Sequence, residues 1–251
     1  MSYRSPFIRR YGVVHGLRVA QAMTHVEYHE HGEPQPISVP GWQSPVWLRR
    51  GTTDALVFRQ LLIGDELGFS LAGAPRRIID GGANIGLASR AFAARWPEAS
   101  IVAVELEAGN VRMAQRNTGA VPTITVMHGA LWSEVGTVQV AGEAGQEYGF
   151  RASAAPVVGT GVPAMTIESL LDHLGWATVD VVKLDIEGAE REVLSTGARW
   201  LPRVRHLVVE LHERFAPGCD AAFDAVIDRT LWDVREHGEY LVASRRGEWT
   251  G

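Results

Sequence analysis

One nine-residue run, Ile78-Ile79-Asp80-Gly81-Gly82-Ala83-Asn84-Ile85-Gly86, narrows the fold more than any other stretch. The apolar pair before Asp80 reads as the end of a parallel strand covered on both faces. Gly81, Gly82 and Gly86 permit positive φ and let a ligand reach the backbone with no Cβ in the way. Asn84 is the non-glycine residue best suited to a left-handed turn position. A strand that ends on an acid, turns through glycines and enters a helix puts its turn at the C-terminal edge of an open α/β sheet. Such edges bind nucleotide-like ligands.

Two ligands fit that turn, a dinucleotide such as NAD and S-adenosylmethionine. Gly81-x-Ala83-x-x-Gly86 comes close to the dinucleotide fingerprint, whose glycines bring a pyrophosphate onto a helix N-terminus. A second acid, Glu105, follows the next hydrophobic run, Ile101 to Val104, and is placed to hold a ribose diol in either case. Asp80 separates the two. A carboxylate directly before the turn repels a pyrophosphate and attracts a sulfonium and an α-ammonium group. Asp80-x-Gly82-x-Asn84-x-Gly86 therefore favours S-adenosylmethionine, with an NAD-dependent oxidoreductase as the rival.

At 251 residues the chain can bury a full core. It divides into an N-terminal extension, residues 1–50, and one ligand-binding domain, residues 51–251. A net charge of -5 leaves no basic surplus to neutralise phosphates, so a nucleic-acid partner is not expected. The single cysteine, Cys219, excludes an internal disulfide framework and a Cys-based zinc site. No apolar run reaches membrane-spanning length and Met1 to Arg10 lacks a signal-peptide core, so no membrane partner and a cytoplasmic location are expected.

Residues 1–50 differ from the rest, with Pro34, Pro36, Pro40 and Pro45 and the neighbours His25, His29 and His31. The histidines invite a metal reading, but no acidic partner at helical spacing accompanies them, and a solvated segment of strands and loops is expected. It could act as a lid or embrace a second subunit in a homodimer. Gly51-Thr52-Thr53-Asp54 reads as the cap of a helix carrying Leu56, Val57, Leu61 and Leu62. From residue 76 strands and helices alternate, which predicts a parallel sheet with helices on both faces. Strands are expected near 76–80, 100–105, 123–127, 179–185 and 205–211, and helices over 84–96, 107–118, 166–174, 188–197 and 220–230. Residues 136–163 read as a short hairpin with a loop, Gly142 to Phe150, that could fold over a ligand. Two terminal strands near 232–236 and 239–244 complete a seven-stranded sheet.

A second constellation lies in Val179 to Glu190, a buried strand that becomes polar at its end. Alternation puts Lys183, Asp185 and Glu187 toward one side. Charges on a central strand are costly unless paired, so Lys183 is expected to pair with Asp185 or a neighbouring acid. The next strand ends similarly, with Glu210 and His212 two apart on one face. An imidazole titrates near neutrality (about 6.5), which suits a general base. Asp185, Glu187, Glu210 and His212 could also bind Mg²⁺ or Mn²⁺, although a divalent cation is not expected.

Together these residues resemble the FkbM family of S-adenosylmethionine-dependent methyltransferases over roughly residues 46 to 215. The matching pieces are Arg49-x-Gly51-Thr52-Thr53-Asp54, the run Ile79 to Gly86, Asn110 to Asn117 after Glu105, Thr166 to Leu170, Val182 to Glu190, and Val209-Glu210-Leu211-His212. Lys183-x-Asp185-x-Glu187-Gly188-x-Glu190 discriminates best, because generic members of the superfamily lack it. Leu106 departs from the proline that the family often has after the acid, on the adenine side. The resemblance implies a Rossmann-like class I methyltransferase fold, a mostly parallel seven-stranded sheet whose last strand is reversed. It implies methyl transfer, commonly to hydroxyls of sugars or macrolide-type metabolites and sometimes to nitrogen.

Carried onto this sequence, the resemblance places the methionine part against Gly81, Gly82, Ala83, Asn84 and Gly86, with Asp80 near the cationic end. Glu105 takes the ribose, with Leu106, Asn110, His128, Gly129 and Ala130 bordering the adenosine. The catalytic candidates are His212 first as base, Asp185 second and on the cofactor as well, with Lys183 and Glu210 beside them. The partner is a small-molecule acceptor, a sugar or natural product. Trp42, Trp47, Trp132 and Tyr148 could stack on it. A methyltransferase-like fold that binds without catalysis is the remaining alternative. RNA methylation is disfavoured by the charge and by the absence of an Asn/Asp-Pro-Pro-aromatic string.

Overall fold

The computed structural model describes residues 4–28, 32–141, 151–153, 161–214, 216–247 and 249. The extension opens with helix α1 (Ser5–Glu27), followed by strands β1 (Gln35–Ile37) and β2 (Val46–Leu48) and helix α2 (Asp54–Phe58). The alternating part runs β3 (Arg77–Gly81), α3 (Leu87–Arg95), β4 (Ser100–Glu105), α4 (Ala108–Thr118) and β5 (Ile124–His128). Four short strands come next: β6 (Ala130–Leu131), β7 (Gly136–Ala141), β8 (Arg151–Ser153) and β9 (Val162–Met165). The chain returns through α5 (Ile167–His173), β10 (Val179–Leu184), α6 (Glu190–Ser195), α7 (Gly197–Trp200) and β11 (Val204–Glu210). Helix α8 (Cys219–Val226) and strands β12 (Trp232–His237) and β13 (Tyr240–Arg245) finish it.

The main sheet has the order β12-β13-β11-β10-β3-β4-β5. Strands β11, β10, β3, β4 and β5 are parallel neighbours, and β13 runs antiparallel to both β11 and β12. The chain winds outward from β3 to β4 and β5, then crosses back to place β10 on the other side of β3. The switch point of this open sheet therefore lies between β3 and β10, directly beside the glycine turn. Alternation along β3 sends Ile78 into one core, with Phe7, Phe58, Phe92 and Met113, and Ile79 into the other, with Leu170, Leu194, Trp200 and Phe223. Helices α1 to α4 cover the first face and α5 to α8 the second, as a sheet apolar on both sides requires.

The extension departs from its expected form. Residues Ser5–Glu27 are helical with a kink at Gly12 (φ 76°), and Gly16, Val19, Ala20 and Met23 face inward at i, i+3, i+4, i+7 spacing. His25 lies in the last turn of this helix, while His29 and His31 fall outside the described residues. The helix after Asp54 changes character at Arg59, continuing to Ile63 with π-type hydrogen bonding. Thr53 makes no side-chain cap there; Asp54 turns its carboxylate to Arg49 instead. Strands β7 and β8 pair antiparallel, as a hairpin would, whereas the loop Gly142 to Phe150 lies outside the described residues.

Candidate active site

Around the C-terminal ends of β3, β4, β10 and β11 the structure forms one cavity of about 1040 Å³, counted out to its open mouth. One half is built by the glycine turn and the end of β4. Gly82 (φ 70°) and Asn84 (φ 49°) adopt the left-handed conformation that the sequence suggests, while Gly81 stays in the strand. A Cβ at Gly82 would overlap the carbonyl of Asp185, so glycine there lets the β3 and β10 ends meet. Glu105 faces this half from full burial. Its two oxygens accept hydrogen bonds from the backbone N–H of Asn84 and of Glu107, each 2.8 Å. Burial pushes the Glu105 carboxyl up, and those donors together with the Asn110 side chain hold it down. Leu106, Asn110, Ala130 and Leu131 complete an apolar wall with one amide on it.

The other half is acidic. Lys183, 1% exposed, lies 3.1 Å from Asp80 and 3.4 Å from Asp185. Burial alone would lower its pKa, but the two carboxylates outweigh it and the ammonium is held charged. The Tyr240 hydroxyl donates to Asp185 at 3.0 Å. His212 Nδ1 is 3.0 Å from buried Glu190, and its Nε2 faces Glu210 at 3.4 Å, Glu187 at 3.7 Å and Asp185 at 3.9 Å. Burial disfavours the imidazolium, yet Glu190, Asp185 and Glu187 outweigh that and raise its pKa above the ordinary value. Glu210 is pushed up by burial and by Asp185, against the pull of His212. Glu66 is raised to about 7 by burial, then by Glu239 and Asp185.

The fold thus brings together Gly82, Ala83, Asn84, Glu105, Leu106, Asn110, Gly129 and Ala130 with Lys183, Asp185, Glu210 and His212 around one space. Asp80 does not join them. Its carboxylate is fully buried, bonded by the Ser89 hydroxyl at 2.6 Å and paired with Lys183. It neutralises the lysine and does not line the cavity, whereas Asp185 and Glu210 do. Gly81 and Gly86 serve packing: Gly86 (φ 82°) caps α3 and lies against Ala114 and Thr118 of α4. His128 is exposed, its ring bonded to the Leu106 carbonyl. Trp42 and Trp47 stack with Arg90 and Arg116, and Trp132 packs against Ala130, Val138 and Ala164; none of the three lines the cavity, and Tyr148 falls outside the described residues.

Three contributors were not singled out from the sequence. Glu66 and Glu239 bring further carboxylates to the acidic half, and Tyr240 brings a hydroxyl. They sit on a loop after the π-type turn and at the β12–β13 turn, which no local pattern marks. Glu190 was visible only as the last acid of a discriminating string. Its carboxylate, 0% exposed, accepts from the N–H groups of Ile186 and Gly188 as well as facing His212, and so shapes the whole β10–α6 loop.

A mostly parallel seven-stranded sheet with a reversed β13, and an acid-lined cavity at its switch point, is the arrangement of a Rossmann-like class I methyltransferase fold. The sequence profile described as Methyltransferase FkbM domain matches residues 80–239, more than half of the chain. The chain belongs to the FkbM methyltransferase family. Its fold is similar to that of the methyltransferase FkbM from Methylobacillus flagellatus KT, with TM-score 0.50 and 14% identity over 76% of this chain and 53% of that chain. The chain therefore spans about half the length of that protein. Precorrin-6y C5,15-methyltransferase from Geobacter metallireducens GS-15 aligns with TM-score 0.42 and 12% identity over 73% of this chain and 84% of that one. Aeropyrum pernix fibrillarin, solved with natively bound S-adenosyl-L-methionine, aligns with TM-score 0.41 and 9% identity over 68% of this chain and 66% of that one. No curated protein matches the chain in sequence.

Proposed function

We propose that this chain methylates a hydroxyl of a sugar or natural product, with a carboxylate at the sheet rim accepting the hydroxyl proton. The carrying observation is the continuity of the cavity, from Glu105 on β4 to Asp185, Glu210 and His212 on β10 and β11. The donor set fits the cofactor: a buried carboxylate and an amide suit a ribose diol, apolar Leu106, Ala130 and Leu131 suit adenine, and acids suit a cationic centre. When bound, S-adenosylmethionine supplies an electrophilic methyl group on a sulfonium. Glu105 and Asn110 would hold the adenosine, and the backbone of Gly82, Ala83 and Asn84 the methionine part.

The remaining task is to fix the acceptor and take its proton. His212 was the first candidate for that base. Glu190 at its Nδ1, with Asp185 and Glu187 facing its Nε2, keeps it protonated at neutral pH, so it has no lone pair to offer. Glu210, 3.4 Å away, takes the role: its raised pKa gives the carboxylate more basicity than an ordinary one, and the imidazolium steadies the anion. Asp185, held by Lys183 and the Tyr240 hydroxyl, orients the acceptor. Asp185, Glu187 and His212 also present ligand atoms within 4.8 Å of one another, a set able to hold a divalent cation. The transfer as proposed runs without one.

N-methylation is the second reading, favoured by the acidic surplus of Glu66, Glu187, Glu210 and Glu239, which would attract a protonated amine. Calorimetry with S-adenosylhomocysteine tests the common part. One molecule should bind per chain, and Glu105→Gln should weaken it about tenfold or more, the loss of a charge-assisted hydrogen bond. Folded protein giving no heat with this ligand overturns the proposal. Identification of the methylated atom by mass spectrometry and NMR separates oxygen from nitrogen.

A further inference from the structure

The motif Arg49-x-Gly51-Thr52-Thr53-Asp54 precedes the segment 80–239 that matches the family profile, and nothing above gives it a task in the reaction. Its position is tightly set. Strand β2 is fastened to α4 by Asn117, whose Oδ1 accepts from the Trp47 N–H at 2.6 Å and whose Nδ2 donates to the Trp47 carbonyl at 3.2 Å. Arg90 on α3 donates to the carbonyl of Ser44 at 2.9 Å, tying the chain just before β2 as well. Arg49 follows β2 immediately. Its Nε and Nη2 bind the Asp54 carboxylate at 3.0 and 2.8 Å, and the same Nη2 donates to Asn110 Oδ1 at 2.8 Å. Asp54 is 1% exposed and Asn110 3%, so the three groups meet away from water.

The chemistry of the amide makes this contact directional. A guanidinium only donates, so the atom of Asn110 facing Arg49 must be its oxygen. The amide nitrogen is left for the other side, where Asn110 and Glu105 line the same cavity. The Asn110 N–H is separately held by Glu107 at 2.6 Å, which fixes the first turn of α4. A line of contacts therefore runs from Asp54 through Arg49 to Asn110, the amide that lines the cavity with the acid assigned to the ribose.

We propose that Arg49 is a positioning residue of the cofactor site: by gripping the Asn110 oxygen it presents the Asn110 amide nitrogen to the cavity, where it joins Glu105 on the ribose hydroxyls. The inference rests on the reading of Glu105 as the adenosine acid. It makes residues 44–54 a working part of the cofactor site, in addition to any part they have in covering it.

The test is calorimetry with S-adenosylhomocysteine on the full chain. Arg49→Met should weaken binding about 5- to 30-fold, the loss of one hydrogen bond to a charged group and the order of the amide. Because Arg49→Met strands the buried Asp54, the paired variant Arg49→Met/Asp54→Asn is measured beside it and should bind equally weakly while unfolding closer to wild type. Asn110→Asp keeps the acceptor for Arg49 and lacks the amide donor for the ribose; it should lose at least as much affinity with its fold intact. Arg49→Met combined with Asn110→Asp should be no weaker than the weaker single variant, since both break one line of contacts. With any acceptor in hand, KM for the methyl donor should rise while kcat is kept. Wild type binding normally, with Arg49→Met/Asp54→Asn and Asn110→Asp both unchanged, overturns the positioning role alone. Effects of Arg49 and Asn110 that simply add also overturn it. Wild type that fails to bind the ligand brings down the reading beneath it instead.

Discussion

Lys183→Met is the perturbation that probes the site's frame most directly. The ammonium is 1% exposed, Asp80 is 0% exposed, and the two are 3.1 Å apart. At an effective dielectric constant of about 20 that contact is worth about 5 kcal/mol of Coulomb attraction, much of it offset by desolvation. Methionine has nearly the same length and leaves no void, so the loss isolates the charge. Asp80 would remain buried with only the Ser89 hydroxyl as donor, and an unpaired buried carboxylate costs about 3–5 kcal/mol. For a chain of this size the melting midpoint should drop roughly 10 °C. Lys183→Met/Asp80→Asn removes both charges, keeps the Ser89 contact, and should recover most of the loss. Urea unfolding followed by circular dichroism gives both numbers. A single variant within about 1 kcal/mol of wild type, or a double variant no better than the single, would refute the view of Asp80 as the lysine's partner. The Lys183 pKa is raised above its unfolded value, so the pair's contribution is complete below the ordinary lysine range and is lost only as pH climbs through the folded value.

Further outcomes follow from the same geometry. The rate should rise with pH across the alkaline side of neutrality as Glu210 ionises, and Glu210→Gln should lose that rising limb; an unchanged pH–rate profile removes Glu210 from proton transfer. Activity should survive EDTA, and its abolition with recovery on adding Mg²⁺ would assign the Asp185, Glu187 and His212 set to a cation. His206 is held at about 4, by burial first and then by Arg205, below its unfolded value, so folding stability should fall as pH drops from about 6.5 toward 4. That shift corresponds to on the order of 3 kcal/mol, and His206→Gln should flatten the slope in pH-dependent urea titrations. Glu190→Ala should cost about 3 kcal/mol or more, since the N–H groups of Ile186 and Gly188 lose their acceptor together; chemical denaturation measures it.

The glycine-turn half of the cavity was more legible than the acidic half, for a physical reason. Gly82, Asn84 and Glu105 lie within a single β-turn-α-β unit, where strand period and turn chemistry act over short distances, and all three line the cavity as the pattern suggests. The pairing of Asp80 was not legible because its neutralising partner is 103 residues away: nothing local reveals that Lys183 comes up beside it in the register Asp80–Lys183. His212 was assigned an ordinary imidazole for the same reason, since Glu187 and Glu190 reach it from another strand's loop. Helix α1 was a different failure. Its inward spacing from Gly16 to Met23 is readable, but exposed Val13, Val14 and Leu17 blur the stripe and the kink at Gly12 cuts it short.

By itself the sequence determined which segments become the strands of the main sheet, where each acid sits relative to its own turn, and that a glycine turn closes β3 at the sheet rim. Those properties depend on side-chain periodicity and on backbone conformations open to glycine and asparagine, which neighbours in the chain dictate. Tertiary structure decided which charges are neutralised, which histidine keeps its proton, and that Arg49 reaches the cavity through Asn110. Electrostatic interactions depend on separation in space and on exclusion of water, and both are settled only when β10 and β11 close against β3 and the extension docks on α4.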